Sequence, residues 1–339
     1  MIDLLVAGGG PVGLATALLA AGQGMSAVVV EPRPDPVDKA CGEGLMPGAV
    51  AALARLGVAP AGRPFHGIRY LEGRYAAAGR FRAGPGLGVR RTVLHAALAD
   101  RVAAAGVPRV LGRVSDVVQG DGWVGAAGLR ARWLVAADGL HSPTRHALGV
   151  DRPPPLPRRY GLRRHFLVPA WTDLVEVYWA RRGEAYVTPV GEDLVGVALL
   201  LDGPGLSFDA ALGRFPALAE RLAGAPPAGP VRGAGPLAQG TRRRVCGRVL
   251  LVGDAAGYLD ALTGEGIRAG VASAAAAVRC LGAGRPQDYE AAWRSVNRRH
   301  RILTLALLQA RHRPGLRGRI VPAAAALPGL FGAAVNALA

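Results

Sequence analysis

Residues 2–31 read IDLLVAGGGPVGLATALLAAGQGMSAVVVE, and this stretch decides the fold. Ile2 to Ala7 is a short apolar run, as expected of a strand buried on both faces. Gly8-Gly9-Gly10-Pro11-Val12-Gly13 follows and fits the spacing Gly-x-Gly-x-x-Gly. LATALLAAGQG then carries apolar residues at helical spacing and stops at glycines. A second strand, Ala27 to Val30, ends in Glu31. Gly8 permits the tight turn, Gly10 lets a backbone approach a pyrophosphate, and Gly13 lets the helix pack on the strand. The N-terminus of the following helix, with its free N–H groups and positive dipole end, faces the phosphates, and Pro11 and Val12 of the turn are counted with the glycines as cofactor contacts. Glu31 is placed to accept hydrogen bonds from a ribose diol. Strand, glycines, helix, second strand and terminal acid in that order predict a nucleotide site in an α/β unit.

The composition agrees with a large globular chain. Its 339 residues are 50% hydrophobic with a mean hydropathy of +0.23, which excludes intrinsic disorder. Three cysteines, Cys41, Cys246 and Cys280, exclude a disulfide scaffold. The net charge is +17, and of 41 basic residues only Lys39 is a lysine. Such a charge points to nucleic acid, a membrane surface or an anionic ligand. The arginines are scattered, and aromatics amount to 5%, too few for base-stacking platforms. No nucleic-acid partner is expected, and most of the charge reads as an arginine-for-lysine bias. The seven histidines show no metal-ligand spacing, so no metal is expected.

Two later segments repeat the form of strand followed by Asp-Gly or Gly-Asp. Trp133 to Ala137 precedes Asp138-Gly139-Leu140-His141-Ser142, and RVLLVGDAAGYLDALTGEGI spans residues 248–267. With Gly8, Gly10, Gly13 and Glu31, these motifs resemble flavoproteins of the para-hydroxybenzoate hydroxylase fold. That group includes class A flavin monooxygenases and geranylgeranyl reductases. The resemblance covers almost the whole chain and implies bound FAD, with NAD(P)H docking transiently as reductant. It implies that Gly253 and Asp254 hold the ribityl or pyrophosphate region. Thr263, Gly264, Gly266 and Ile267 would lie by the isoalloxazine. Arg91, or its neighbour Arg90, would contact the cofactor from a helix start. Arg33, Val114, Asp138 and Gly139 complete the implied cofactor set.

Lys39-Ala-Cys-Gly-Glu-Gly-Leu-Met-Pro47 is similar to the Cys-Gly-x-Gly loop of the geranylgeranyl reductases, which lies beside the flavin. Cys41 and Gly42 would touch the ring. Cys41 reads as a proton donor, a covalent tether, a redox relay or a small packing residue. Glu43 reads as a site acid or a helix-terminal acid. Tyr186, in EAYVTPVGEDLVGVALLL, is a further proton-donor candidate. The reductase motif of that sheet lacks its Trp and its Phe before Pro189, and the Trp-x-Trp-x-Ile-Pro motif of flavin halogenases is absent. The first expectation is therefore a monooxygenase, oxidising a small apolar or aromatic substrate through a flavin C4a-hydroperoxide. The alternative is an ene-reductase or dehydrogenase acting on a prenyl or polyketide-type substrate.

The expected architecture is α/β: a Rossmann-like FAD domain, a β-sheet substrate domain and C-terminal helices. Residues 1–64, 90–150 and 245–285 would form the first, 65–89 and 151–244 the second, and 286–339 the last. Val175, Val177 and Trp179 should share one face of the substrate sheet, with Glu176, Tyr178 and Ala180 on the other. Helices are expected over Phe208–Ala223 and Gln287–Ala310. The N-terminus has no basic signal-peptide region, so a reducing cytoplasm is the expected compartment. The apolar tail after Arg311, Arg313, Arg317 and Arg319 leaves contact with a membrane surface open.

Overall fold

The computed structural model describes residues 1–154 and 156–339. Ile2–Ala7 lies between Ala27–Glu31 and Leu129–Ala136, parallel to both, with Leu5 opposite Val28 and Leu134. Leu4, Leu5 and Val6 are fully buried, because helices cover both faces of this sheet. Val249–Leu251 extends the parallel set on one side and Arg109–Leu111 on the other. The helix Pro11–Ala21 starts with Pro11 in its first turn, where a missing N–H costs nothing. It buries Leu14, Ala15, Ala17 and Leu18, and packs between the helices Arg91–Ala104 and Gly266–Gly282.

A second sheet has seven strands in the order Arg232–Ala234, Arg159–Leu167, Leu194–Asp202, Gly183–Pro189, Val175–Ala180, Gly67–Glu72 and Tyr75–Arg80. All neighbours are antiparallel except Val175–Ala180 and Gly67–Glu72. Val175, Val177 and Trp179 join one apolar cluster with Phe65, Met46 and Leu262. Tyr178 joins another with Phe166, Phe208 and Leu218. The two faces thus separate with the period of two that the strand imposes. The whole is a Rossmann-like domain joined to a β-sheet substrate domain.

Three boundaries differ from expectation. Phe208–Ala223 is two helices, Phe208–Leu212 and Pro216–Arg221, because Pro216 cannot continue a helix and begins a new one. The strand expected at Trp133–Ala137 begins at Leu129, where Leu129 to Ala131 pair with the hairpin strand Trp123–Ala126. The long helix runs Tyr289–His312 rather than 287–310. Beyond it, Ile320–Ala326 and Pro328–Leu338 lie against the outer strand Tyr75–Arg80, with Phe331 and Val335 packed on Ala77. No single helix among the described residues is long and apolar enough to cross a membrane.

Candidate functional site

The glycine turn admits no side chains. Gly8 has φ +101°, and a Cβ there would lie 2.6 Å from the Ala137 carbonyl oxygen. A Cβ on Gly13 would lie 1.8 Å from the Gly8 carbonyl oxygen, so the helix touches the strand backbone. Val12 packs beneath Gly253 and Gly270, joining this turn to the Asp254 segment. Glu31 accepts the Gly9 N–H at 2.7 Å and the Arg33 Nε–H at 2.6 Å. Burial raises its pKa, but these bonds outweigh burial and hold the carboxyl below its ordinary value. His95, fully buried, lies 3.0 Å through Nε2 from the Gly9 carbonyl oxygen and braces the turn from behind.

A cleft of about 270 Å³ opens at this turn, lined by Gly8, Glu31, Arg33, Lys39, Val114 and Asp138 among others. Arg33 and Lys39 line it, and Arg91 stands beside the adjoining Gly10. Arg33 pairs with Glu31, whereas Lys39 has no carboxylate within ion-pair distance among the described residues. Burial, then Arg33 and Arg91, push the Lys39 amine below its ordinary value. Arg91 opens the helix Arg91–Ala104, is 7% exposed, and has its Nη1 buried with no partner. Its Nη2 lies 3.7 Å from where a Gly10 side chain would begin. Arg91, rather than Arg90, therefore faces the glycine turn. Asp138 accepts the Thr144 N–H at 3.0 Å through one oxygen, while the other is buried without a partner. Gly139 has φ +89°, and a Cβ there would stand 3.2 Å from the Lys39 Nζ.

The Asp254 segment is tied to the Asp138 segment by Arg145. Its guanidinium donates to the carbonyls of Leu140 at 3.0 Å and Ala255 at 3.3 Å, and pairs with Asp151 at 2.6 Å. Burial raises the Asp254 carboxyl above its ordinary range, opposed by Lys39, Arg91 and Arg145. Gly253 and Asp254 share a small alcove with Tyr258 and Gly266, where the helix Gly266–Gly282 begins. Thr263 turns its hydroxyl to Thr304, 3.0 Å away, so only its backbone remains for a ligand. Gly264 has φ +68° and allows the turn into that helix. Ile267 packs into the Ala15, Ala52 and Val271 cluster, so its side chain serves the core.

In the Lys39–Pro47 loop both carboxylate oxygens of Glu43 are engaged. Glu43 is 4% exposed and accepts the Arg91 backbone N–H at 2.8 Å; its other oxygen lies 2.5 Å from His165 Nε2. Through these two contacts it joins loop, helix and substrate sheet. Thr188 likewise donates to the Gly42 carbonyl at 2.8 Å. Burial raises the Cys41 thiol, partly offset by Arg91. The Tyr186 hydroxyl donates to the Leu262 carbonyl at 2.9 Å, which commits its proton to the loop before Thr263.

These residues fit a flavin dinucleotide. Arg91 Nη1 and Asp138 Oδ1 are buried polar atoms that need a partner. Arg33, Lys39 and Arg91 converge where a pyrophosphate would meet the helix N-terminus. His95 and Arg145 lie outside the motifs quoted above, and Lys39 and Tyr258 lie inside quoted segments without having been read as cofactor contacts. Only the singularity of Lys39 among 41 basic residues could have marked it.

Residues 1–73 match the FAD binding domain family model. The chain is 31% identical to a menaquinone reductase of Mycolicibacterium smegmatis, over 88% of this chain and 80% of the relative. Among solved structures, a flavoprotein/dehydrogenase from Cytophaga hutchinsonii superposes with a TM-score of 0.86, at 17% identity, over 99% of this chain and 93% of the other. The flavin-dependent halogenase CmlS superposes with 0.78, at 21% identity, over 89% of this chain; this chain spans 62% of CmlS. Fold and site together define an FAD-dependent oxidoreductase of the class A flavoprotein type. The chain belongs to the same family as the mycolicibacterial menaquinone reductase.

Because Lys39 is the only lysine, amine acylation reports on it and on the N-terminal amine alone. We expect FAD-free protein to be acylated at Lys39. FAD at about ten times its dissociation constant should slow that labelling about tenfold. Peptide mass spectrometry reads both states, and equal labelling with and without FAD would remove Lys39 from the cofactor site.

Proposed function

We propose that the chain is a flavin-dependent reductase that saturates a carbon–carbon double bond in a lipophilic, prenyl-type substrate. The reading rests first on the 31% identity to a menaquinone reductase over 88% of this chain, which reverses the order suggested by the motifs alone. The apolar cluster of Met46, Phe65, Val177, Trp179 and Leu262 is consistent with it, since this buried packing makes the junction of the substrate sheet with the loop before Thr263 apolar. Reduced FAD would supply a hydride to one alkene carbon, with NAD(P)H in solution as the source of electrons.

The chain's own task is then to deliver one proton and to exclude water. Burial keeps the Cys41 thiol protonated at neutral pH, and Arg91 stabilises the thiolate left after transfer. The S–H bond breaks, a C–H bond forms at the second alkene carbon, and the thiolate regains a proton from solvent. Glu43 holds the Arg91 backbone and the His165 ring in place.

Anaerobic turnover with NAD(P)H and a prenylated quinone should give a product heavier by two hydrogens, with no oxygen added. Substrate-stimulated oxygen consumption with an oxygen atom in the product would establish the monooxygenase instead. Cys41→Ala should lower the rate about 100-fold, as loss of a general acid does, with FAD content unchanged. The active form is the protonated thiol and its pKa is raised. The rate should therefore stay level through neutral pH and fall only above the ordinary thiol value of about 8.5. An unchanged rate in Cys41→Ala makes Cys41 a packing residue.

A further inference from the structure

From Ala291 to Ala339 the chain holds eight arginines and no aspartate or glutamate. Two of the eight face inward: Arg311 pairs with Glu184 and Asp202, and Arg317 with Glu72. Among the described residues, Arg294, Arg298, Arg299, Arg301, Arg313 and Arg319 have no carboxylate within ion-pair distance.

The same segment turns apolar side chains outward as well as inward. Val321, Phe331 and Val335 are buried against the sheet domain. Leu316, Arg319, Ala323 and Leu327 recur at spacings of three and four, and all are exposed, so they form one outer stripe. The bend between Pro314–Ala326 and Pro328–Leu338, 103°, carries that stripe through Pro328 and Gly329 to Leu330. Leu316 is 42% exposed, Leu327 55% and Leu330 67%, where a solvated surface would place polar residues. A second exposed stripe, Arg298, Ile302, Ala306, Gln309 and Arg313, runs down the preceding helix and ends where the first begins.

We propose that this face docks on an anionic phospholipid bilayer. The leucines and the bend enter the boundary between headgroups and acyl chains, while Arg298, Arg299, Arg313 and Arg319 meet lipid phosphates. Charge selects this occupant: a second copy of the chain would bring the same acid-free surface and repel. No single described helix is long and apolar enough to span, and the bent pair keeps Val321, Phe331 and Val335 buried on the sheet domain, so in this proposal the segment lies on the bilayer. The docking is independent of which reaction the flavin site performs.

Flotation of the full-length, FAD-loaded protein with vesicles tests it. Phosphatidylcholine vesicles containing phosphatidylglycerol should retain the protein, and pure phosphatidylcholine should retain far less. Leu327→Asp combined with Leu330→Asp should weaken retention at least about tenfold by removing apolar insertion, with FAD absorbance and melting temperature kept. Arg313→Gln and Arg319→Gln, both at exposed sites, should each weaken binding about fivefold on the anionic vesicles and leave the neutral ones unaffected. Absence of flotation, or equal retention of the leucine variant, overturns the proposal. So does light scattering that shows a dimer dissolved by the same leucine substitutions.

Discussion

Replacing Arg159 by methionine should destabilise the protein by about 3–5 kcal/mol, the range for removing one partner from a buried ion network. Arg159 is 1% exposed and pairs with Asp260 at 2.7 Å and with Glu184 at closer range. Arg311 also pairs with Glu184, and with Asp202 at 2.9 Å. Burial opposes the charge on Arg159, but Glu184 and Asp260 overcome it and hold the guanidinium charged. Without Arg159, two carboxylates that are 0% and 4% exposed would share Arg311 and lose most of their compensation. The network also joins three parts of the molecule. Arg159 and Glu184 lie in the substrate sheet, Arg311 in the long C-terminal helix, and Asp260 in the loop leading to Thr263. Asp260 additionally accepts the Leu262 N–H at 3.0 Å. Loss of Arg159 should therefore loosen the loop beside the flavin and lower FAD content together with stability. Denaturant unfolding and flavin absorbance measure the two effects. An unchanged midpoint in Arg159→Met would show that the network contributes nothing net.

Gly13→Ala should abolish stable FAD binding. The added methyl would lie 1.8 Å from the Gly8 carbonyl oxygen and 3.4 Å from the Ala137 Cβ. The first neighbour is backbone in the central strand, so no side-chain rotation relieves the clash. The helix must move off the sheet, carrying its free N–H groups away from the phosphate position. Overpacking of this kind costs about 3 kcal/mol, which corresponds to roughly a hundredfold loss in FAD affinity. Equilibrium dialysis of the purified variant reads that affinity. Retention of FAD at the wild-type level would mean that the turn is not the pyrophosphate site. Gly10→Ala is the contrast: its Cβ would meet only the Arg91 Nη2, at 3.7 Å, so a milder effect is expected.

Much of this site is legible in the sequence alone. The glycine spacing, Glu31 after the second strand, and the Asp138 and Asp254 segments are local patterns, and a local pattern acts on the residues that carry it. Gly8 and Gly13 are glycines because their own Cβ atoms have no room. Glu31 ends its strand at the edge where the turn begins, so its carboxylate must reach Gly9. The substrate sheet was legible for the same reason, since strand periodicity alone sends Val177 and Tyr178 to opposite faces.

The contacts that decide roles were not legible. Glu43 reads as a candidate acid in its own loop, and only His165, 122 positions later, shows that its carboxylate is already engaged. Tyr186 reads as a candidate donor, and its hydroxyl is already donating a hydrogen bond to the Leu262 carbonyl. His95 and Arg145 reach the site from outside the quoted motifs, and Lys39 comes from a loop that was read for Cys41 and Glu43 rather than for its amine. Arg311 sits among arginines that look alike in sequence, yet it is buried in an ion network while Arg313 faces outward. The sequence by itself determined the sheet, the turn and the class of cofactor, because backbone sterics and side-chain periodicity act over a few neighbouring residues. The tertiary structure alone decided which acids hold the scaffold, which cations reach the pyrophosphate position and which leucines stay exposed. Those outcomes depend largely on partners from tens to more than a hundred residues away, whose approach no local spacing encodes.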